Sequence, residues 1–269
     1  MLVDFHSHTL ESDGTLEPAE LAALMRKRGV SIFSVTDHDA LGAYPRLGDA
    51  AAHATVVSGI ELNTTYRGSE VHVLGYGFPL DAAEIGTAIA ENRNHREARA
   101  QQMVDQLNAA GIDLAFDAVR AEAGNERSAL GRPHVARALV RAGYASDIDN
   151  AFRTLLVPGK PGYVPQLYMR PQDAVSVIAR AGGVAVLAHP GRLKDESIIE
   201  ELVAAGLAGI EAFYPRHDPS QVAHFRELAV SYGLVMTAGS DFHDPTYNER
   251  GVGMEVERED IAPFLDLVL

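Results

Sequence analysis

A chain of 269 residues can bury one large core or two modest ones, and its zero cysteines exclude disulfides, thiolate metal sites and a cysteine nucleophile. A formal net charge of −14 excludes long nucleic acid as a partner, because polyanion binding draws on clustered Lys and Arg. No apolar run approaches the ~20 residues of a membrane span and residues 1–10 lack a signal-peptide pattern, so a cytoplasmic protein without a membrane partner is expected.

Taken in chain order, "MLVDF" reads as a strand, "EPAELAALMRKRG" as a helix with Pro18 near its start and Gly29 at its end, and "VSIFSVTD" as a second strand. The runs "ATVVSGIEL" and "EVHVLGYGF" continue the strands. From Arg96 to Pro165 the pattern is helical throughout, in "EARAQQMVDQLNAAG", "RPHVARALVRAG" and "SDIDNAFRTLL", before the Pro/Gly-rich "VPGKPGYVP". Strands then resume in "GGVAVLAH", "AGIEAFY" and "GLVMTAGSD", the last two each after a helical pattern. Alternation of this kind implies parallel strands with helical crossovers, and a closed α/β barrel is one arrangement that covers both sheet faces. The expected organisation is a barrel from 1–95 and 166–269 with a helical insertion at 96–165. The insertion carries 9 Lys/Arg against 8 Asp/Glu, so it is the part that would not repel an anionic substrate.

Without cysteine, any metal must be held by imidazole and carboxylate, and these residues gather at strand ends. His6 and His8 follow the first strand at i, i+2, a spacing that puts both rings on one face of extended chain. A lone His-x-His is weak evidence; repetition strengthens it. Asp37, His38 and Asp39 follow the second strand, Glu61 ends the third, His72 lies within the fourth, His189 follows "LA", and Asp241 and His243 sit in "GSDFH". Residues at the carboxyl ends of barrel strands converge on one mouth. Each has an ordinary reading on its own (His72 a core histidine, Glu61 a helix cap, Asp241 a turn former), but their coincidence at so many strand ends points to one site. His53, His95 and His224 lie in helical patterns and read as surface residues, Asp39 as a turn residue, and Asp37 as either a cap or an orienting group for a histidine.

The ordered set "FHSHT", "ESDG", "TDHD", "GIE", "EVHVLGY", "LAHP" and "GSDFH", spanning nearly the whole chain, resembles the polymerase and histidinol phosphatase (PHP) family of the amidohydrolase superfamily. The resemblance implies a distorted (β/α)7 TIM-like barrel with the inserted helical subdomain, holding three divalent ions, Mn first with Fe or Zn as alternatives. It makes His6, His8, Glu61 and Asp241 ligands of the first ion, with Glu61 bridging to a second held also by His72 and His189. Asp13, His38 and His243 become ligands of the third. Glu61, Asp241, His243 and His189 are the catalytic set, serving a metal-bridging hydroxide that attacks phosphorus.

The same resemblance, with "GRPHVARALV", points to small nucleotides, best the 3′ phosphate of nucleotide 3′,5′-bisphosphates. Among the residues themselves, Arg132 and His134 flank Pro133 at a helix start, and Lys160, Tyr163, Arg216 and His217 add further phosphate contacts, with Arg99 and its neighbour Arg96 as weaker candidates. Alternatives are a 5′-3′ exoribonuclease on very short RNA, a histidinol-phosphatase-like enzyme, or a metal-stabilised scaffold without catalysis. No obligate protein partner is evident.

Overall fold

The opening strand, β1 (Leu2–Asp4), is buried from Val3 onward and pairs in parallel with β2 (Ile32–Ser34), which pairs in parallel with β3 (Thr55–Val57). Between them runs α1 (Pro18–Arg28), begun by proline where no amide hydrogen is needed and ended by Gly29 at φ 78°. A short edge strand, β9 (Met254–Glu255), pairs antiparallel with β1, giving the order β3-β2-β1-β9. The computed structural model describes residues 1–122, 130–165, 168–246, 248 and 250–269, with the side chains of 50 and 51 outside that set.

The second sheet holds β4 (Gly59–Tyr66), β5 (Ser69–Tyr76), β6 (Val184–Leu187), β7 (Gly209–Phe213) and β8 (Val235–Ala238), in that order. "ATVVSGIEL" is therefore two strands in two sheets, divided at Ser58. Gly59 is required at the division, because a Cβ there would lie 2.1 Å from Ser34 Oγ. β4 and β5 form an antiparallel hairpin across Arg67 and Gly68, both at positive φ (46° and 78°), the backbone that suits the twist of a two-residue turn. β5 and β6 are antiparallel as well, and only β6-β7-β8 run parallel.

Among the described residues the fold is mixed α/β with two sheets of four and five strands in place of one closed sheet of parallel strands, joined by isolated bridges, Ser7 to Phe242 and His38 to Glu61. On one side Phe5 N–H donates to Ala238 O (2.9 Å), Asp241 N–H to His6 O (2.8 Å) and His8 N–H to Phe242 O (2.8 Å). On the other, Asp39 N–H donates to Glu61 O at 3.0 Å and Glu61 N–H to Asp37 O at 3.4 Å.

Helices α6 (Pro171–Arg180), α7 (Ile198–Ala204) and α8 (Pro219–Tyr232) cover the second sheet, burying Ile178, Ile198, Leu202 and Phe225 against Ile60, Val73 and Ile210. Both sheets contribute to a further core, Val3 and Phe5 from one and Leu74, Tyr76, Val186 and Ala238 from the other, with Phe264 of α9 (Arg258–Val268) packed on it. Burial of such side chains stabilises by about 1.5–3 kcal/mol each. The Phe5 and Phe264 rings meet edge-to-face at 4.9 Å, and Tyr76 donates its hydroxyl to Phe5 O at 2.8 Å.

By contact the chain divides into two units, Met1–Ile89 with Met169–Leu269, and Ala90–Tyr168. The boundary falls inside one long helix, α2 (Ala83–Ala109). The second unit continues with α3 (Phe116–Ala121), α4 (Arg132–Arg141), α5 (Ile148–Ala151) and a π-helical turn, Phe152–Leu156. Met103, Leu107, Val135, Leu139 and Leu156 form its own core. The boundary read from sequence at 165/166 runs into residues 166 and 167, which lie outside the described residues. Among the described residues no helix is long and apolar enough to cross a membrane.

Candidate metal centre

Glu61 is buried at the third residue of β4, and imidazole nitrogens approach both of its oxygens. Around Oε2 lie His6 Nε2 at 3.2 Å, His8 Nε2 at 3.1 Å and His38 Nδ1 at 3.2 Å. Around Oε1 lie His72 Nδ1 at 2.8 Å and His189 Nε2 at 3.2 Å. The hairpin explains how His72, in mid-strand, reaches this place: it pairs with Asn63, two residues and one pleat from Glu61 on the same face. Asp241, just past β8, turns Oδ1 to His6 Nε2 (3.3 Å) and His8 Nε2 (3.4 Å). Asp13 lies outermost, with Oδ1 at 3.3 Å from His243 Nε2 and 3.6 Å from His8 Nδ1, and Oδ2 at 3.8 Å from His38 Nε2.

These atoms form three groups compact enough to hold a cation: His6, His8, Glu61 and Asp241; His8, Asp13, His38 and His243; and His38, Glu61 and His72. His6, His8, Glu61 and Asp241, expected together, share the first group; Asp13, His38 and His243, expected together, share the second with His8; and His72 lies beside Glu61. The third group differs from expectation. His38 presents one ring nitrogen to Glu61 and the other to Asp13, so it belongs to two groups, whereas His189 is in none of them despite facing Glu61 Oε1.

The chemistry of these side chains fits a cation. His6 Nε2, His8 Nε2, His38 Nδ1, His72 Nδ1 and Glu61 Oε2 are buried and have no hydrogen-bond partner among the described residues, although they crowd one another. Their lone pairs converge on shared space instead of lying along N–H···O lines, the arrangement that imidazole and carboxylate adopt around a divalent ion. Electrostatics follow the crowding. Burial acts to lower the His6 pKa, but Glu211, Glu61 and Asp241 outweigh it and raise it well above the usual value. Burial raises the Glu61 carboxyl, and His38, His6 and His72 overcome that to hold it well below its ordinary range. His38 is lowered to about 4, chiefly by burial.

The Asp37 carboxylate bonds to a loop and not to a histidine ring: Oδ1 accepts from Thr9 N–H and Ser12 Oγ and Oδ2 from Thr9 Oγ1, each at 2.7 Å, which ties down the loop carrying Asp13. Asp39, at φ 48°, is a turn residue whose carboxylate accepts from Asn63 N–H (3.1 Å) and Nδ2 (2.8 Å). Sequence reasoning missed Tyr214, whose hydroxyl donates to Asp241 Oδ2 at 3.0 Å, and Glu211, 2.9 Å from His6 Nδ1. A signal for Glu211 was present: "GIE" occurs twice, at the start of β4 and at the start of β7.

The expected substrate residues divide. Arg216 is exposed and lines a cavity of about 190 Å³ beside Asp241 with Tyr214, Ser240, Asn248 and Arg250. His217 does not serve as expected: Nδ1–H donates to Ala212 O and Nε2 accepts from Gly191 N–H, both at 3.1 Å, so its ring holds the turn after His189. In the second unit, Arg99 Nε donates to Val164 O at 3.0 Å, a packing role, and Arg96 stacks on Tyr168. Arg132 lies over the Phe152 ring at 5.1 Å, and His134 Nδ1 accepts from Gly131 N–H at 3.0 Å, closing the first turn of α4. Lys160 is exposed and Tyr163 half-buried. His224 pairs with Glu196 at the surface and His53 is exposed, as expected of them.

No family model matches the chain. It is 36% identical to the 3′,5′-nucleoside bisphosphate phosphatase of Chromobacterium violaceum, over 97% of this chain and 93% of that protein. It is 31% identical to the 5′-3′ exoribonuclease Rnm of Salmonella typhimurium, over 91% of this chain and 86% of that one. A solved Bifidobacterium adolescentis protein, put forward as a metal-dependent phosphoesterase, is 29% identical and superposes with a TM-score of 0.76 over 89% of this chain and 87% of its own. With relatives matched nearly end to end and a buried histidine–carboxylate cluster suited to divalent ions, the chain belongs to the PHP-type phosphoesterases.

Proposed function

We propose that the chain is a metal-dependent phosphomonoesterase of small nucleotides, removing the 3′ phosphate of nucleoside 3′,5′-bisphosphates with three divalent ions, Mn before Fe or Zn. The observation that carries this reading is Glu61, a buried carboxylate faced by five imidazole nitrogens within 3.2 Å, in a chain resembling a bisphosphate phosphatase. His6, His8 and Asp241 complete the first ion position; His72 and His189, with Glu61, the second; Asp13, His38 and His243 the third. Divalent ions held there supply Lewis acidity towards phosphoryl oxygens and lower the pKa of water towards neutrality.

The residues divide the remaining work. Glu61, with imidazoles around both of its oxygens, would contribute to two ion positions, and Asp241 presents Oδ1 to His6 and His8 while Tyr214 holds Oδ2. Asp13 and His243 are 54% and 30% exposed, so this edge is where the phosphate to be cut arrives. Arg216 in the first unit and Arg132, His134, Lys160 and Tyr163 in the second are, each by itself, candidates for the phosphate that is kept. The 96–165 insertion as a substrate-binding module, and a distorted barrel as the parent architecture, belong to the same reading.

A second reading, exoribonuclease action on very short RNA, is favoured by the 31% identity to Rnm. Both are tested by assaying the Mn-loaded protein on a nucleoside 3′,5′-bisphosphate and on a dinucleotide. Phosphate release from the first, with the dinucleotide slower by at least roughly 10-fold, is expected; the reverse order selects the exonuclease and ends the first reading. Arg132→Ala should lower kcat/KM on the bisphosphate by roughly 10- to 100-fold, the loss of one charge-assisted contact, and leave a 3′-monophosphate nearly unaffected. Equal losses on both would assign Arg132 to folding or to the phosphate being cut.

A further inference from the structure

Glu211 lies within β7, fully buried, with its side chain between two histidines of the centre. Oε1 lies 2.9 Å from His6 Nδ1, and Oε2 accepts the backbone N–H of His189 at 2.7 Å. Taking a carboxylate out of water is costly unless hydrogen bonds replace hydration, and these two donors are what replace it here. Both partners face Glu61, on its two different oxygens: His6 Nε2 on Oε2 and His189 Nε2 on Oε1.

Each bond has a distinct effect. An imidazole that donates from Nδ1 to a carboxylate keeps its Nε2 lone pair free, and Nε2 is the His6 atom turned to Glu61 and Asp241. His189 has φ 25° and ψ 61°, a conformation a non-glycine residue holds only when its surroundings dictate it, and Glu211 claims its amide. The space is built to admit this carboxylate. A Cβ on Gly239 would sit 2.5 Å from Glu211 Oε1 and 2.2 Å from His6 Cβ, so the glycine allows the chain just past β8 to run close beside the pair.

We infer that Glu211 is a positioning residue that serves two ion positions at once, setting the tautomer of His6 for the first and the backbone of His189 for the second. The inference rests on the proposed metal centre. It goes beyond that reading in predicting that one residue outside the ligand set governs affinity at two positions and spares the one built on Asp13. Glutamine is the informative replacement, since its single oxygen can serve one donor and its amide hydrogens then oppose the other.

The test is Mn bound per chain across a series of chelator-buffered free Mn concentrations, for wild type, Glu211→Gln and Asp13→Asn. Glu211→Gln should weaken two of the bound ions by roughly 10- to 100-fold and leave a third at wild-type affinity, whereas Asp13→Asn weakens one. Wild-type affinity throughout in Glu211→Gln, or a loss confined to one ion, overturns the inference. Wild type that binds no Mn overturns the metal centre itself. Should Glu211→Gln fail to fold, imidazole ¹⁵N spectra of the Zn-loaded wild type give an independent readout. His6 should carry its proton on Nδ1 and ligate through Nε2; ligation through Nδ1 would overturn the inference without any variant.

Discussion

Tyr214→Phe removes one oxygen atom and leaves the ring, which is 3% exposed, in place. That oxygen donates to Asp241 Oδ2 at 3.0 Å, and burial, then the Asp241 charge, push the Tyr214 pKa up, so the phenol stays a donor at any working pH. A hydrogen bond to a charged group contributes about 1.5–3 kcal/mol, and at about 1.4 kcal/mol per decade the loss amounts to roughly 10- to 150-fold. Arg192 Nη1 lies 3.7 Å from the same oxygen and its side chain is 55% exposed, so it can replace part of what is lost. The expected effect is therefore at the lower end, roughly 10- to 30-fold. It should appear as a shift in the Mn concentration needed for half-maximal phosphate release, because Tyr214 holds Asp241 rather than substrate. At saturating Mn, kcat should return to within about 3-fold of wild type. An activation midpoint that does not move, or a fall in kcat that excess Mn cannot restore, would refute the assignment of Tyr214 to Asp241.

Tyr44→Phe should destabilise the protein by about 2 kcal/mol in urea unfolding, since the buried hydroxyl donates to Val35 O at 2.7 Å and accepts Gly59 N–H, leaving that amide unpaired when lost; a change below about 0.5 kcal/mol would contradict it. His134 should titrate at about 4 in an NMR pH series, lowered first by burial and then by Arg137. Its folded pKa lies below the unfolded one, so its contribution to stability is complete above about 6.5 and falls away as pH drops towards 4. A midpoint at 6.5 or higher would remove both the burial and the neutral Nε2–H tautomer implied by the Gly131 bond.

The residues that crowd around Glu61 were legible because metal-binding side chains leave a mark that does not depend on packing: without cysteine, His and Asp at successive strand ends have few other uses. The sheet arrangement was less legible. Parallel and antiparallel strands share the same alternation of side chains, and the cue to the β4-β5 hairpin was two residues, Arg67 and Gly68. The break at Ser58 was hidden because "ATVVSGIEL" is apolar on both sides of it. Tyr214 and Glu211 escaped for another reason: they act through a partner residue 27 or 205 positions away, which no local pattern encodes. His217 misled because a histidine near a strand end looks the same whether its nitrogens face a ligand or the backbone.

The bridges between the two sheets draw their partners from the ligand segments themselves: His6, His8 and Asp241 on one side, His38 and Glu61 on the other. The centre is therefore a clasp as well as a reaction site. Within each sheet the strands are joined by ladders of two to eight paired residues, but here single amides carry the join, and their alignment depends on the same residues whose side chains crowd around shared charge. Loss or gain of ions at the clasp should be felt as a change in how firmly the two sheets are fastened, with the amides of His8, Asp39, Glu61 and Asp241 as the places where the loosening begins.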